Sequence, residues 1–219
     1  MSYIHQYCII YLTNNTQNTK TEIIYGVENV IDAELQFFSK TKRGRIDTCM
    51  NYTRPPLAIL IEPIKKAFLD AKSRGIKTRY LTEITNDNIP YIKELMRIAV
   101  DELRHLDGIK GNFMISEQEY LAPLILYEKG KIASQTIYSN VKELVEQHQY
   151  IFDTIWNKAL SAEQRIREIE EGIEPSNIQV IQNPRESIEL AYNIIKSAKE
   201  EVLGSFHQSI PLDDKYPSI

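Results

Sequence analysis

Few side chains in this sequence stand where bonds could be made or broken. His105 lies just before Gly108 and Lys110 just after it. An imidazole that attacks phosphorus and an ammonium that holds phosphoryl oxygens would together serve phosphate-ester chemistry. The same histidine serves equally as a structural group hydrogen-bonded to a neighbour. The other histidines, His5, His148 and His207, are too scattered to share a metal, and Cys8 and Cys49 form no Cys-x-x-Cys pair. No zinc site, metal or cofactor is therefore expected. Cys49 has no histidine beside it in sequence to activate a thiolate, so thiol catalysis is not expected either.

The remaining polar candidates belong to recognition rather than to bond-breaking. In open α/β sheets, ligands bind beyond the carboxyl ends of the strands. That rule selects Asn51 and Arg54 after one predicted strand and Ser139 after another. It also selects Thr82, Glu83, Thr85 and Asn86 after a third. With His105 and Lys110 they form the expected ligand-binding set, a cleft of hydroxyls, amides and charges suited to a small polar effector. The bland alternative is that Thr85, Asn86 and Asn140 only cap helices and form turns. Arg104 is expected to pair with a surface carboxylate such as Asp101, with an anionic ligand as the alternative. The cluster Lys40, Lys42, Arg43 and Arg45 is expected to complement the end of a helix.

These residues need elements to position them. Apolar residues at helical spacing predict a helix over 22–40, alternation predicts a strand over 45–50, and Pro55 and Pro56 open a helix that runs to Gly75. A strand at 76–81 completes a strand–helix–strand unit, whose crossover makes the two strands parallel. Asp87 is expected to cap the next helix, which continues toward Gly108, with a short strand at 103–106 as the alternative. Segments 112–115 and 120–126 read as a hairpin, and 134–138 as a further strand. Asn140 with Glu143 predicts the start of a long helix whose apolar stripe includes Phe152, Ile155 and Trp156. Ser161 with Gln164 predicts its restart. Beyond it, 178–181 and 202–206 read as strands on either side of a helix starting at Asn183 and Pro184. This last layout weakly repeats that of 22–50.

The expected architecture is therefore an α/β fold with a mixed, mostly parallel sheet flanked by helices. The expected divisions are a flexible segment 1–20, an α/β domain 21–160, a helical linker 161–175, and a partial second α/β unit with a tail, 176–219. The 219 residues, 42% apolar and 26% charged, suit a globular chain and not a disordered or disulfide-built one. A net charge of −4 makes nucleic acid an unlikely partner. No apolar run approaches a membrane-spanning length, and the apolar segment 7–12 lacks the flanks of a secretory signal, so a cytoplasmic location without membrane contact is expected.

Three separated runs carry a family resemblance: VDELRHLDGIKGN at 100–112, IYSNVKELVEQ at 137–147 and FDTIW at 152–156. In this order they resemble the N-terminal sensory region of archaeal histidine-kinase-like signalling proteins, over about 21–206. That region is itself similar to the phospholipase D fold, which archaeal sugar-responsive transcription regulators use for effector binding without catalysis. The resemblance implies a sensory domain with an unknown small-molecule effector, working through a partner kinase or a homodimer. Full-length relatives would be histidine kinases, but no phosphotransfer or ATP-binding domain follows here, so no catalysis is expected of this chain. Active phospholipase D enzymes pair two His-x-Lys-x4-Asp motifs. Here four residues separate His105 from Lys110, and no His-x-Lys occurs anywhere. A degenerate phosphodiesterase remains the second reading, and a module that dimerises through the long helix the third.

Overall fold

The computed structural model describes residues 19–125, 130–172 and 183–197. The chain divides into two compact units, Met1–Glu174 and Pro175–Ile219. The first holds an eight-stranded mixed sheet built from β1 (Thr21–Tyr25), β2 (Arg45–Met50), β3 (Lys77–Thr82), β4 (Glu102–His105), β5 (Phe113–Ile115), β6 (Tyr120–Pro123), β7 (Gln135–Ser139) and β8 (Leu160–Ser161). Their order across the sheet is β1-β7-β6-β5-β2-β3-β4-β8. The expected α/β architecture with a mixed sheet is present. Parallel pairing, however, is confined to β2–β3 and β3–β4, and the other joins are antiparallel.

Six helices cover this sheet: α1 (Val27–Lys40), α2 (Pro55–Leu60), α3 (Glu62–Ser73), α4 (Ile89–Ile98), α5 (Lys142–Trp156) and α6 (Ala162–Glu170). One core joins Phe37 and Phe38 of α1, Ala58 of α2, Phe68 of α3, Ile92 of α4 and Ile166 of α6 to Ile46, Tyr80 and Leu103 of the sheet. The other face is covered by α5, through Val145, Phe152 and Trp156 on Cys49, Leu81 and Ile115. Alternation along β2 explains the division, since Ile46 and Met50 belong to the first core and Cys49 to the second. A helix, α7 (Pro184–Ser197), belongs to the second unit, and Asn183 Oδ1 accepts the Arg185 amide at its start, as expected. The proposed strands at 178–181 and 202–206 lie outside the described residues. Among the described residues no helix is long and apolar enough to cross a membrane.

Several local expectations are corrected. The helix predicted from residue 22 begins only at Val27, because 21–25 is an edge strand and Gly26, with φ of 97°, turns the chain. The helix after Pro55 is two helices, broken at Ile61, where Pro63 starts α3. The strand alternative holds at β4, where Leu103 and His105 point into the sheet's first face and the backbone pairs in parallel with β3. Asn140 does not cap α5; its Oδ1 accepts the Lys20 amide at 2.7 Å and so anchors the start of β1. At α4 the N-cap position is Asn88, not Asp87.

On the α5 face an ionic network fixes the helix. Asp47 is 1% exposed and accepts from Arg79 Nε (2.8 Å) and Nη2 (2.7 Å), from Arg45 Nε (3.0 Å) and from Gln149 Nε2 of α5 (2.7 Å). Arg79 also pairs with Asp153 at 2.5 Å and lies over the rings of Phe152 and Trp156. Arg104 stacks on Trp156 and donates to its carbonyl at 3.1 Å, instead of pairing with Asp101, which accepts the Thr78 amide. Of the basic cluster after α1, Arg45 serves Asp47 and Lys40 approaches Glu119 at 3.4 Å. It is Arg74 that donates to the carbonyls of Phe38 and Thr41 at the helix end.

The segment expected as a linker packs on the sheet in part. β8 pairs with β4, and Ala162 and Ile166 are buried in the first core. Arg167, Glu170 and Glu171 are exposed, but Arg165 and Glu168 are largely buried, at 15% and 13% side-chain exposure, and pair with each other at 3.3 Å. Ser161 caps α6 by accepting the Gln164 amide at 3.2 Å. Ser161→Ala is expected to cost about 1 kcal/mol, read as a shifted urea midpoint with an unchanged slope, because one amide of the first turn loses its acceptor.

Candidate functional site

The parallel strands β2, β3 and β4 end together, and their carboxyl ends hold eight of the nine predicted site residues. Asn51 leaves β2 with its own amide donating to Asn112 Oδ1 at 3.0 Å. Its side-chain Oδ1 accepts both the amide and the hydroxyl of Thr53, at 3.0 and 2.7 Å. This Asx turn swings the chain into α2, as short polar side chains do when they satisfy nearby backbone. The turn sets Arg54 at the N-cap of α2, where Nη1 donates to the Lys131 carbonyl at 2.8 Å. Asn112 in turn donates Nδ2 to the Ile125 carbonyl at 2.7 Å, tying the start of β5 to the segment after β6.

The neighbouring loop after β3 is held by Asn88. Its Nδ2 donates to the carbonyls of Tyr52 and Glu83 and its Oδ1 accepts the Thr85 amide, so one side chain joins the loops of two strands. Glu83 accepts the Gly108 amide at 3.2 Å, linking that loop to the turn after β4. Thr82 is fully buried. Its Oγ1, the Thr85 Oγ1 and the Asn51 Nδ2 are buried without a hydrogen-bond partner. Buried polar groups that the chain itself leaves unspent are where a ligand's polar groups gain most.

His105 is 2% exposed, and both ring nitrogens are engaged. Nδ1 accepts the Ile84 amide at 2.9 Å, so the neutral ring carries its proton on Nε2, which faces Asp107 at 3.1 Å. Burial holds its pKa below the ordinary value, and Arg165 adds to this, against the pull of Asp107 and Glu168. Lys110 and Asn86 are exposed, and Glu83 and Thr85 half-buried. Ser139 is not with this group. Register carries it through Tyr120 and Ile115 to Asp47, in the amino-terminal half of β2 and away from the strand ends that hold the other eight, and there it bonds Thr21 Oγ1 at 2.8 Å. The cause is that β7 runs antiparallel to β6, which places its carboxyl end beside the amino end of β2.

Asn112, Asn88, Thr53 and Glu34 are parts of the site's framework that motif reading missed. Glu34 carried a readable signal, since it interrupts the apolar stripe formed by Val30, Phe37 and Phe38 on α1. It is buried close to Arg54, and burial pushes its carboxyl up to about 7 while the Arg54 charge holds it down. Burial lowers the Arg54 pKa in turn, against Glu34 and Tyr80.

No family model matches the sequence, and no curated protein matches it. Among solved structures, Nuc from Salmonella typhimurium, a phospholipase D family member, is 15% identical with a TM-score of 0.53, over 65% of this chain and 97% of that one. NucT from Helicobacter pylori is 12% identical with a TM-score of 0.52, over 65% and 99%. TrmBL2, an archaeal chromatin protein whose structure shows a novel mode of DNA binding, is 17% identical with a TM-score of 0.49; the match covers 70% of this chain and 57% of that protein. At such identities a shared backbone speaks for architecture alone. The likeness to Nuc and NucT gives this sheet and its helices a phospholipase D-like fold.

Proposed function

We propose that the Met1–Glu174 unit is a non-catalytic effector-binding domain with a sensory role, taking a small polar ligand at the carboxyl ends of β2, β3 and β4. The observation that carries this reading is His105. The nearest group to a phosphodiesterase nucleophile is buried, with one ring nitrogen accepting a backbone amide and the other facing Asp107. Attack on phosphorus needs an exposed lone pair, and holding the phosphoryl oxygens needs a cation beside it. Lys110, the only lysine near it in sequence, is exposed instead. The groups around it are the Asp107 and Glu168 carboxylates, the Arg165 guanidinium and the Ile84 amide, and none of them frees an imidazole lone pair for attack.

The output route in this reading is α6. Ala162 and Ile166 bind it to the core while Arg165 and Glu168 act electrostatically on His105. A ligand that favours one arrangement of the His105 loop thereby biases the helix, and only a difference in affinity between arrangements transmits anything. The sequence resemblance to archaeal histidine-kinase-like sensory regions supports a partner kinase or a second copy as receiver.

A thermal-shift screen of the full chain against sugars, nucleotides and phospholipid head groups is the test, run beside hydrolysis of a generic phosphodiester. The expected result is a raised Tm with one ligand class and hydrolysis no faster than buffer. Hydrolysis that disappears in His105→Ala would overturn the reading in favour of a phosphodiesterase.

A further inference from the structure

The loop between α1 and β2 and the turn between β5 and β6 face each other at the amino end of β2. They meet because β5 runs antiparallel to β2, with Ile115 opposite Asp47. Between them lies an open pocket of about 130 Å³, lined by Lys40, Lys42 and Arg43 on one side and by Ser116, Glu117 and Glu119 on the other.

The fold itself makes no use of two of these cations. Arg74 serves the carbonyls at the end of α1, where the basic cluster was expected, and Arg45 serves Asp47. Lys42 and Arg43 are exposed and enter no ion pair among the described residues. The opposite wall is built more firmly. Ser116 Oγ accepts the amides of Gln118 and Glu119, which fixes the turn. Glu119 is only 9% exposed; its Oε1 accepts the Tyr138 hydroxyl at 2.6 Å, while its Oε2 is buried without a partner. A buried carboxylate oxygen normally has a donor, and the chain supplies none to this one. Lys40, half in solvent over the Tyr138 ring, comes no closer to Glu119 than 3.4 Å. Glu117 folds its carboxylate over Gly44, into the space a Cβ would fill, and so holds a second negative charge at the rim.

These charges select the ligand. A simple anion would meet Glu117 and Glu119, and a simple amine would meet Lys40, Lys42 and Arg43. A molecule that bears both charges a few bonds apart suits both walls. Size narrows it further: a cavity of about 150 Å³ takes benzene, so this one encloses about six non-hydrogen atoms, the size of alanine. We propose that the pocket binds the zwitterionic head of a free α-amino acid. Its carboxylate lies on Lys42 and Arg43 and its ammonium on Glu119 and Glu117, with Lys40 turning from Glu119 to the ligand carboxylate. The open mouth leaves the amino acid's own side chain in solvent. This site is separate from the strand-end cluster, and the inference does not depend on the effector-binding reading.

The probe is L-alanine, whose two charged groups are common to all amino acids. Propionate and L-alaninamide are the controls, each lacking one of the charges. Added to the full chain at about 10 mM, L-alanine is expected to raise the Tm while neither control does. In calorimetry the double variant Lys42→Ala with Arg43→Ala, both on exposed positions, should bind L-alanine at least about tenfold more weakly. Lys72→Ala, which removes an exposed charge elsewhere, should keep wild-type affinity. Glu119→Gln retains an oxygen for the Tyr138 hydroxyl but gives up the charge, and with its fold checked by circular dichroism it should bind as weakly as the double variant. An unmoved Tm with L-alanine, an equal response to propionate or L-alaninamide, or wild-type affinity in the double variant overturns the proposal.

Discussion

Asp47→Ala is expected to destabilise the chain by about 3–5 kcal/mol, measured as the fall in unfolding free energy in urea. The size follows from what the substitution leaves behind. Asp47 is buried in the middle of β2 and is shared by Arg79, Arg45 and Gln149. Without it the Arg79 guanidinium, 13% exposed, keeps only Asp153 as counter-charge, and Gln149 loses its hold on the sheet. Desolvating a charge costs several kcal/mol unless it is paired, so removing one partner costs far more than the pair contributes by itself. Because α5 is held to β2 and β3 through this network and through Trp156, its last turns should exchange amide hydrogens faster in the variant than the other helices do. The double variant Asp47→Ala with Arg79→Leu should recover part of the loss by removing the orphaned charge. If the double variant is instead as unstable as the sum of the two single changes, the coupling between these residues is absent and the account fails.

How far the fold could be read in advance depended on whether a local rule decided each element. β2 and β3 were legible because a strand alternation, a helix opened by proline and a Gly75 stop all agree. β1 was not, because Ile23 happens to stand four residues before Val27, and the two belong to different elements separated by the turn at Gly26. β4 was ambiguous for a related reason. Val100, Leu103 and Leu106 repeat every third residue, yet pairing with β3 overrides that spacing and sets Leu103 and His105 on one face.

The site shows the same division. Residues that follow a parallel strand in sequence came out together, since chain direction alone puts Asn51, Thr82 and His105 at one end of the sheet. Ser139 did not, because the direction of β7 is set by its antiparallel pairing with both β6 and β1, which no short segment encodes. Asn88 and Asn112 carried no motif, yet each ties two segments together across 36 and 13 residues. Long-range hydrogen bonds of this kind have no sequence spacing to announce them.

Glu34 should give the unliganded protein a second large and measurable property, a loss of stability as pH rises toward neutrality. Its carboxyl is raised from 4.5 to about 7 in the folded chain, chiefly by burial. Between those values the folded state binds more protons at this residue than the unfolded state does, so unfolding free energy falls as pH rises through the window and levels off above it. The window corresponds to a change on the order of 3 kcal/mol. His105 acts in the opposite sense below about pH 6.5, since its lowered pKa makes the folded state release a proton that the unfolded state keeps. The two effects partly cancel in the raw curve, and the quantity to measure is the difference between wild type and Glu34→Gln. That difference should favour the variant by about 3 kcal/mol more at about pH 8 than at about pH 5, since glutamine keeps the shape and never ionises. The same difference at both pH values would mean that Glu34 ionises in the folded chain as easily as in water. In that case burial would not govern its charge, and this pH dependence would have no source.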